Sequence, residues 1–204
     1  MKSNIEDKQI ITLSGVHGVG KSTIINILHS LLSFNEGEKR PKNYFQTPYE
    51  AMLFFIAAFS DRDKKVNQSG NGIYILDRYS YIDIKIYIKA LKEIDYISEN
   101  ECKSLLIALD NGYSIKIRPT LSFLLHDKPE NILNRIKKFR EPSKHHLFER
   151  DIKFIRTLEN LFLSEFQYMK QNFLNQFYIT SINNQEPSKI GYSILAIIEG
   201  KLNK

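Results

Sequence analysis

Cysteine is nearly missing from this chain: Cys102 is the single one in 204 residues. That excludes an internal disulfide and any cysteine-based metal cluster. Long hydrophobic runs are missing too. The longest, Ala51 to Phe59, is too short to cross a bilayer. The first residues, Met1 to Lys8, lack the apolar core of a secretory leader. There is no internal repeat, no low-complexity linker and no RNA- or DNA-binding motif of the usual kinds. These absences predict a cytoplasmic protein with no membrane and no nucleic-acid partner. The excess of 29 Lys and Arg over 23 Asp and Glu, +6 in all, reads as a Lys-rich solvated surface plus a basic pocket for an anionic ligand.

What is there is a soluble globular composition, 42% hydrophobic and 25% charged, of a length that suits one domain spanning 1–204. Its most informative stretch is Gly15-Val16-His17-Gly18-Val19-Gly20-Lys21-Ser22-Thr23. It fits G-x-x-x-x-G-K-[ST], the Walker A phosphate loop, and its flanks agree. Ile10 to Leu13 before it is a β-favouring apolar run, and Ile24, Leu28, Leu31 and Leu32 after it fall on one face of a helix. Gly15, Gly18 and Gly20 let the backbone wrap a phosphate. The loop N–H groups and the helix N-terminus supply donors and partial positive charge. This pattern makes residues 15–23 the ATP-binding candidates, with Lys21 across the β- and γ-phosphates and the Ser22 hydroxyl on Mg²⁺.

Ile73 to Asp77 is a second apolar strand that ends in a carboxylate, the Walker B pattern, which assigns Asp77 to Mg²⁺. Arg78 follows at the carboxyl edge of the sheet, where open α/β folds bind ligands, and suits an anionic acceptor or a transferring phosphoryl group. Between the two motifs, Thr47-Pro48-Tyr49-Glu50 starts a helix with a capping box. On that helix Phe55, Phe59 and Arg62 form a stripe, either core or a wall for a nucleobase. Asp61 to Gly72 reads as a loop. A short strand is expected somewhere in Ser33 to Phe45, where Lys39, Arg40 and Lys42 make a basic segment: a solvated loop, or a surface facing a substrate phosphate.

Tyr81 to Lys92 alternates like a strand and also fits a helical face. A parallel sheet needs a crossover there, which favours the helix. Ser98 to Asp110 is a further helix, and Leu121 to Leu125 a further strand. Asp127-Lys128-Pro129-Glu130 opens an amphipathic helix that runs into Arg135, Lys137, Lys138, Arg140 and Lys144. That charge run is a solvated face or a mobile lid at about 138–148 that brings Arg135 and Arg140 to the transferring group. The adjacent His145 and His146 point apart on a helix and make a poor metal site. A long helix from Glu149 to Phe173, a strand Phe177 to Thr180 and a closing helix with Ile190, Ile194, Ile197 and Ile198 complete the alternation. The fold class is α/β with a parallel sheet.

In this order the features resemble the thymidylate kinase family, within the P-loop nucleoside and nucleotide kinases. The likeness rests on the phosphate loop, the aromatic helix ending Asp61-Arg62, the strand ending Asp77-Arg78-Tyr79, the segment from Pro119-Thr120-Leu121 to Pro129-Glu130, and the basic lid. It implies a three-layer α/β/α P-loop NTPase fold with a five-stranded parallel sheet. It also implies Mg-ATP as donor, a nucleoside monophosphate such as dTMP as acceptor, and a homodimer as a candidate assembly. Lys21, Asp77, Arg78, Arg135 and Arg140 are then the catalytic candidates, and Arg40, Phe55, Phe59, Arg62 and Arg78 the acceptor-binding ones. Two departures stand out: His17 occupies the place of the family's acidic loop residue, and Ala58 that of its stacking Phe. His17 is either a loop residue facing solvent or an acceptor contact. The rival is a deoxynucleoside kinase, which on this scaffold carries an acid at the end of the second strand. Here Lys39-Arg40 is basic, with Glu36 and Glu38 close by. A second rival is a non-catalytic ATP-binding regulator on the same fold.

Overall fold

The computed structural model describes residues 7–32, 35–36, 45–113, 116–139, 148–183 and 185–202. Its centre is β1 (Lys8–Ser14), where Ile11, Thr12, Leu13 and Ser14 are all essentially without solvent exposure. Burial of successive residues means that both faces of the strand are covered, as in a parallel sheet between helical layers. β3 (Gly72–Asp77) pairs with one edge of β1 and β4 (Leu121–His126) with the other, both in parallel. β5 (Phe177–Ser181) extends the sheet beyond β4. On the far side β2 (Asn35–Glu36) adds only a two-residue pairing to β3, in the order β2-β3-β1-β4-β5. The sheet proper is therefore four strands. The fifth, expected within Ser33 to Phe45, is this brief edge.

Seven helices accompany the strands among the described residues: α1 (Lys21–Leu31), α2 (Pro48–Gln68), α3 (Ser80–Glu93), α4 (Glu99–Gly112), α5 (Pro129–Phe139), α6 (Ile152–Asn172) and α7 (Pro187–Leu202). Local chemistry sets several of their starts. Thr47 accepts from the Glu50 amide while the Glu50 carboxylate takes the Thr47 amide, with Pro48 in the first turn of α2. Ser98 and Glu101 do the same for α4. Asp151 caps α6 through the Lys153 amide, just after a single 3₁₀ turn over Phe148–Arg150.

Two expectations meet the structure differently. Tyr81 to Lys92 is helical, α3, as the crossover argument required. Asp61 to Gly72 is not a loop, because α2 runs on to Gln68. Its polar appearance misleads. Arg62, Asp63 and Val66 are buried on one face, while Asp61 and Lys65 pair at 3.0 Å on the solvent side. No helix among the described residues is long and apolar enough to cross a membrane.

α1 packs on α7, and the approach is close because Gly191 faces Ile27. A Cβ built on Gly191 would lie 2.6 Å from Ile27 Cγ2. Gly191→Val is expected to cost about 1–3 kcal/mol by overpacking, a fall in Tm of about 3–10 °C at this size. Gly200 on the same helix has open space around it, so Gly200→Ala is expected to stabilise by up to about 1 kcal/mol. Thermal melts compare the two, and equal melting temperatures would contradict the close α1–α7 contact.

Candidate active site

The phosphate loop leaves β1 at the carboxyl edge of the sheet, between Asp77 at the end of β3 and His126-Asp127 at the end of β4. Its shape depends on glycine. Gly15, Gly18 and Gly20 have φ of 133°, 78° and 110°. A Cβ on Gly15 would come within 2.3 Å of the Leu125 carbonyl oxygen, and one on Gly18 within 2.5 Å of Ile136. The loop is thus wedged against β4 and α5 by backbone. Val16 and Val19 anchor it from below, both fully buried. Gly20 precedes α1 with no side-chain cap, and the first turn of α1 holds no acidic residue. The uncapped N–H groups of that turn are what an anion binds.

Lys21 is buried and its ammonium spans the loop, donating to the carbonyls of Gly15 at 2.8 Å and Val16 at 3.1 Å. Ser22 and Thr23 follow on the exposed side of α1. Asp77 is half-buried, one strand away in register with Leu13. These parts fit Mg-ATP: glycine backbone and an open helix start for phosphate oxygens, and a hydroxyl and a carboxylate as hard oxygen donors for Mg²⁺.

Arg135 reaches this loop from α5. Its Nε donates to the Gly18 carbonyl at 3.1 Å, and its Nη1 pairs with Asp127 at 2.7 Å. Its Nη2 is buried with no hydrogen-bond partner among the described residues, an orphan donor beside the phosphate loop. Burial opposes the Asp127 charge, but bonds from Asn131, Arg135 and the Lys128 amide outweigh it and hold the carboxyl below its ordinary value. Behind Asp127 lies Glu159 of α6, buried on the otherwise apolar face of that helix. It accepts from the Asp127 amide at 3.2 Å, and its other oxygen has no partner among the described residues.

Arg78 links the loop to a neighbouring pocket. Its backbone takes φ 90° and its amide donates to Leu13 at 2.9 Å, so the β1–β3 ladder runs one step past the strand end. Its guanidinium is buried, donating to the Gly15 carbonyl at 3.3 Å and the Tyr87 hydroxyl at 3.1 Å. It also pairs with Asp83 at 3.5 Å, and Asp83 in turn accepts from Ser14 at 2.7 Å. Burial alone would weaken the Arg78 charge. Tyr87, Asp77 and Asp83 overcome it, so Arg78 stays cationic. Burial pushes the Asp83 carboxyl up, against the pull of Arg78 and Ser14.

The pocket is lined by the apolar side chains of Met52, Phe55, Phe59 and Ile84 and by the polar ones of Arg78, Asp83, Tyr87 and Glu149. Phe55 and Phe59 thus stand in its wall, 6.2 Å apart between centroids. Arg62 does not. Its guanidinium lies 4.8 Å from the Phe59 centroid and turns away, donating to the carbonyls of Asp77 at 2.8 Å and Arg78 at 3.2 Å, to Asp63 and to Ser80. It braces the turn that carries Arg78 rather than lining the pocket. His17 is no solvent-facing loop residue: it is 2% exposed, hydrogen-bonded to Tyr87 and stacked on Phe154. Arg40 and Arg140, and most of segment 138–148, lie outside the described residues.

Four pocket and loop residues escaped the sequence reading. Asp83 and Tyr87 sit one helical turn apart on α3, a spacing legible once that segment is taken as helix. Glu159 left a signal as a carboxylate on an apolar stripe. Glu149, close to the end of the undescribed segment, left none.

No family model matches the chain. It is similar to the deoxyadenosine/deoxycytidine kinase of Bacillus subtilis (strain 168), 26% identical over 147 residues, 66% of this chain and 67% of that one. Among solved structures it is similar to deoxyadenosine kinase from M. mycoides with bound dCTP, at TM-score 0.72 and 20% identity over 96% of this chain and 99% of that one. The thymidylate kinase from Candida albicans aligns at TM-score 0.67 and 19% identity, over 97% and 94%. The fold is that of the P-loop nucleoside and nucleotide kinases, and thymidylate kinase is not singled out within it. All these relatives and neighbours are kinases, ATP-dependent phosphotransferases.

Burial raises the Glu159 carboxyl from its ordinary 4.5 to about 8, the Asp127 amide opposing and the Asp127 charge assisting. The folded chain therefore holds a proton that the unfolded chain releases. Stability from this group is full below about pH 4.5 and is lost as pH rises to about 8. Glu159→Gln keeps the acceptor oxygen and never ionises. Its Tm advantage over the parent is expected to be small at pH 5 and to grow by up to about 3 °C per pH unit toward pH 8. A difference that stays constant from pH 5 to 9 contradicts the buried neutral carboxyl.

Proposed function

We propose that the chain is a deoxynucleoside kinase, transferring the γ-phosphoryl group of ATP to a sugar hydroxyl of a nucleoside. The observation that carries this reading is the charge of the acceptor pocket. One guanidinium, Arg78, lines it, and that group is already paired with Asp83 and bonded to Tyr87. Two carboxylates, Asp83 and Glu149, line it as well. A monophosphate would bring about two negative charges to this lining, and a nucleoside brings none. The aromatic side, with Phe55 and Phe59, suits a base, and the polar side suits a sugar. Glu36 ends β2 beside Ile75, two residues before Asp77 on β3, in keeping with the acid of deoxynucleoside kinases at the end of the second strand. The kinases of B. subtilis and M. mycoides named above support the same choice.

In this mechanism Lys21 and the loop amides hold the β- and γ-phosphates. Ser22 and Asp77 would hold Mg²⁺, which would supply charge neutralisation for the phosphates. The acid at the end of the second strand, the role for which Glu36 is the candidate by its place in the chain, takes the proton from the attacking hydroxyl, whose oxygen bonds to the γ-phosphorus as the bond to ADP breaks. Arg135 offers its orphan Nη2 donor to the transferring group, and Arg78 holds the acceptor end of the line. The alternative acceptor, dTMP or a related monophosphate, keeps the same donor site.

The test is ADP release from Mg-ATP against deoxynucleosides and their monophosphates. Turnover is expected with deoxynucleosides, lowered by at least about 100-fold in Lys21→Ala and by about 10²–10⁴-fold in Glu36→Gln. Turnover confined to dTMP would overturn the reading in favour of a thymidylate kinase. ATP binding with no turnover on any acceptor would favour the regulator.

A further inference from the structure

His17 stands in the middle of the phosphate loop, and its hydrogen bonds run to Tyr87 of α3 and to the Glu149 carbonyl just before α6. Its backbone N–H donates to the Tyr87 hydroxyl at 3.2 Å, so this amide is turned out of the loop cradle. Its Nδ1 meets the same hydroxyl at 3.2 Å, and its Nε2 lies 2.8 Å from the Glu149 carbonyl oxygen. The ring is stacked on Phe154 at 5.9 Å. Donor and acceptor chemistry assigns the ring's protons from these contacts. A carbonyl can only accept, so Nε2 carries the hydrogen. In the neutral ring Nδ1 then accepts, and the Tyr87 hydroxyl donates to it. The two lone pairs of that hydroxyl receive the His17 amide and Arg78 Nη2, the latter at 3.1 Å.

The network ends on three of the pocket's lining residues: Tyr87 and Glu149 directly, and Arg78 through Tyr87. His17 is not itself among them. We propose that His17 is a positioning residue for the acceptor. Through a neutral, Nε2-protonated imidazole it ties the phosphate loop to Glu149 and Tyr87, and so sets the polar side of the acceptor pocket in register with the phosphoryl donor. The inference rests on the reading of that pocket as the acceptor site. It gives the departure at position 17 a physical role. An ionised acidic side chain there has no donor for the Glu149 carbonyl.

The experiment combines kinetics with a direct readout of the ring. Long-range ¹H–¹⁵N NMR of the full chain is expected to show the Nε2–H tautomer for His17, and the Nδ1–H tautomer would overturn the proposal. His17→Ala is expected to raise KM for the deoxynucleoside about tenfold, with KM for ATP within about twofold and kcat within about threefold. His17→Gln offers an amide N–H at the reach of Nε2 and is expected to recover most of the loss. His17→Asn offers one only at the reach of Nδ1 and is expected to recover little. In Tyr87→Phe the further effect of His17→Ala is expected to shrink, since the two share one network. Equal rises in both KM values, or equal rescue by Gln and Asn, would overturn this inference while leaving the kinase reading intact. A parent protein that turns over neither nucleosides nor nucleotides would overturn both.

Discussion

The site depends on one buried cation. Arg78 follows the last residue of β3 in a left-handed backbone conformation that a side chain rarely adopts, and its guanidinium is held between the Gly15 carbonyl, Tyr87 and Asp83. Burying a guanidinium is costly unless its donors and its charge are answered. Here the answer comes from the Gly15 carbonyl of the phosphate loop and from Tyr87 and Asp83 of α3, while Arg62 of α2 braces the backbone of the turn by donating to the carbonyls of Asp77 and Arg78. The same contacts fix the pocket beside the donor site. Removing the charge would strand Asp83 and release Tyr87, so the phosphate loop and the neighbouring pocket rise or fall together.

Much of this was legible in the sequence because it is local. The phosphate loop announces itself through glycine spacing between a strand and a helix. The capping boxes at Thr47 and Ser98 declare their helices, and the strand ending Asp77-Arg78 declares the sheet's carboxyl edge. What was not legible is long-range. The end of α2 looks like a loop because Asp61, Arg62, Asp63, Lys64 and Lys65 are all charged, yet Arg62 and Asp63 are buried against residues 77–80. Helical spacing leaves Arg62 open between core and a wall for a nucleobase, and the family resemblance puts it among the acceptor-binding candidates. Spacing gives a face, not the carbonyls that face will meet. His17 was open between solvent and acceptor because its partners, Tyr87 and Glu149, come 70 and 132 residues later.

The acceptor is where sequence motif and pocket chemistry diverge. Asp77-Arg78-Tyr79 resembles the motif of a monophosphate kinase, and the basic stretch Lys39-Arg40 suits an acceptor that already bears a phosphate. A motif fixes the backbone around the donor, which nucleoside and monophosphate kinases share. Specificity lives in the charge of the cavity, and here carboxylates outnumber the single, already engaged guanidinium among the lining residues.

The central claim is that this pocket takes an acceptor bearing no phosphate. It is tested most directly by titration calorimetry on the protein saturated with Mg²⁺ and a non-hydrolysable ATP analogue. Each deoxynucleoside is compared with its own 5′-monophosphate. The account predicts that for at least one base the nucleoside binds about tenfold tighter or more, a difference of about 1.4 kcal/mol. A monophosphate that binds tighter than its nucleoside for every base would contradict it.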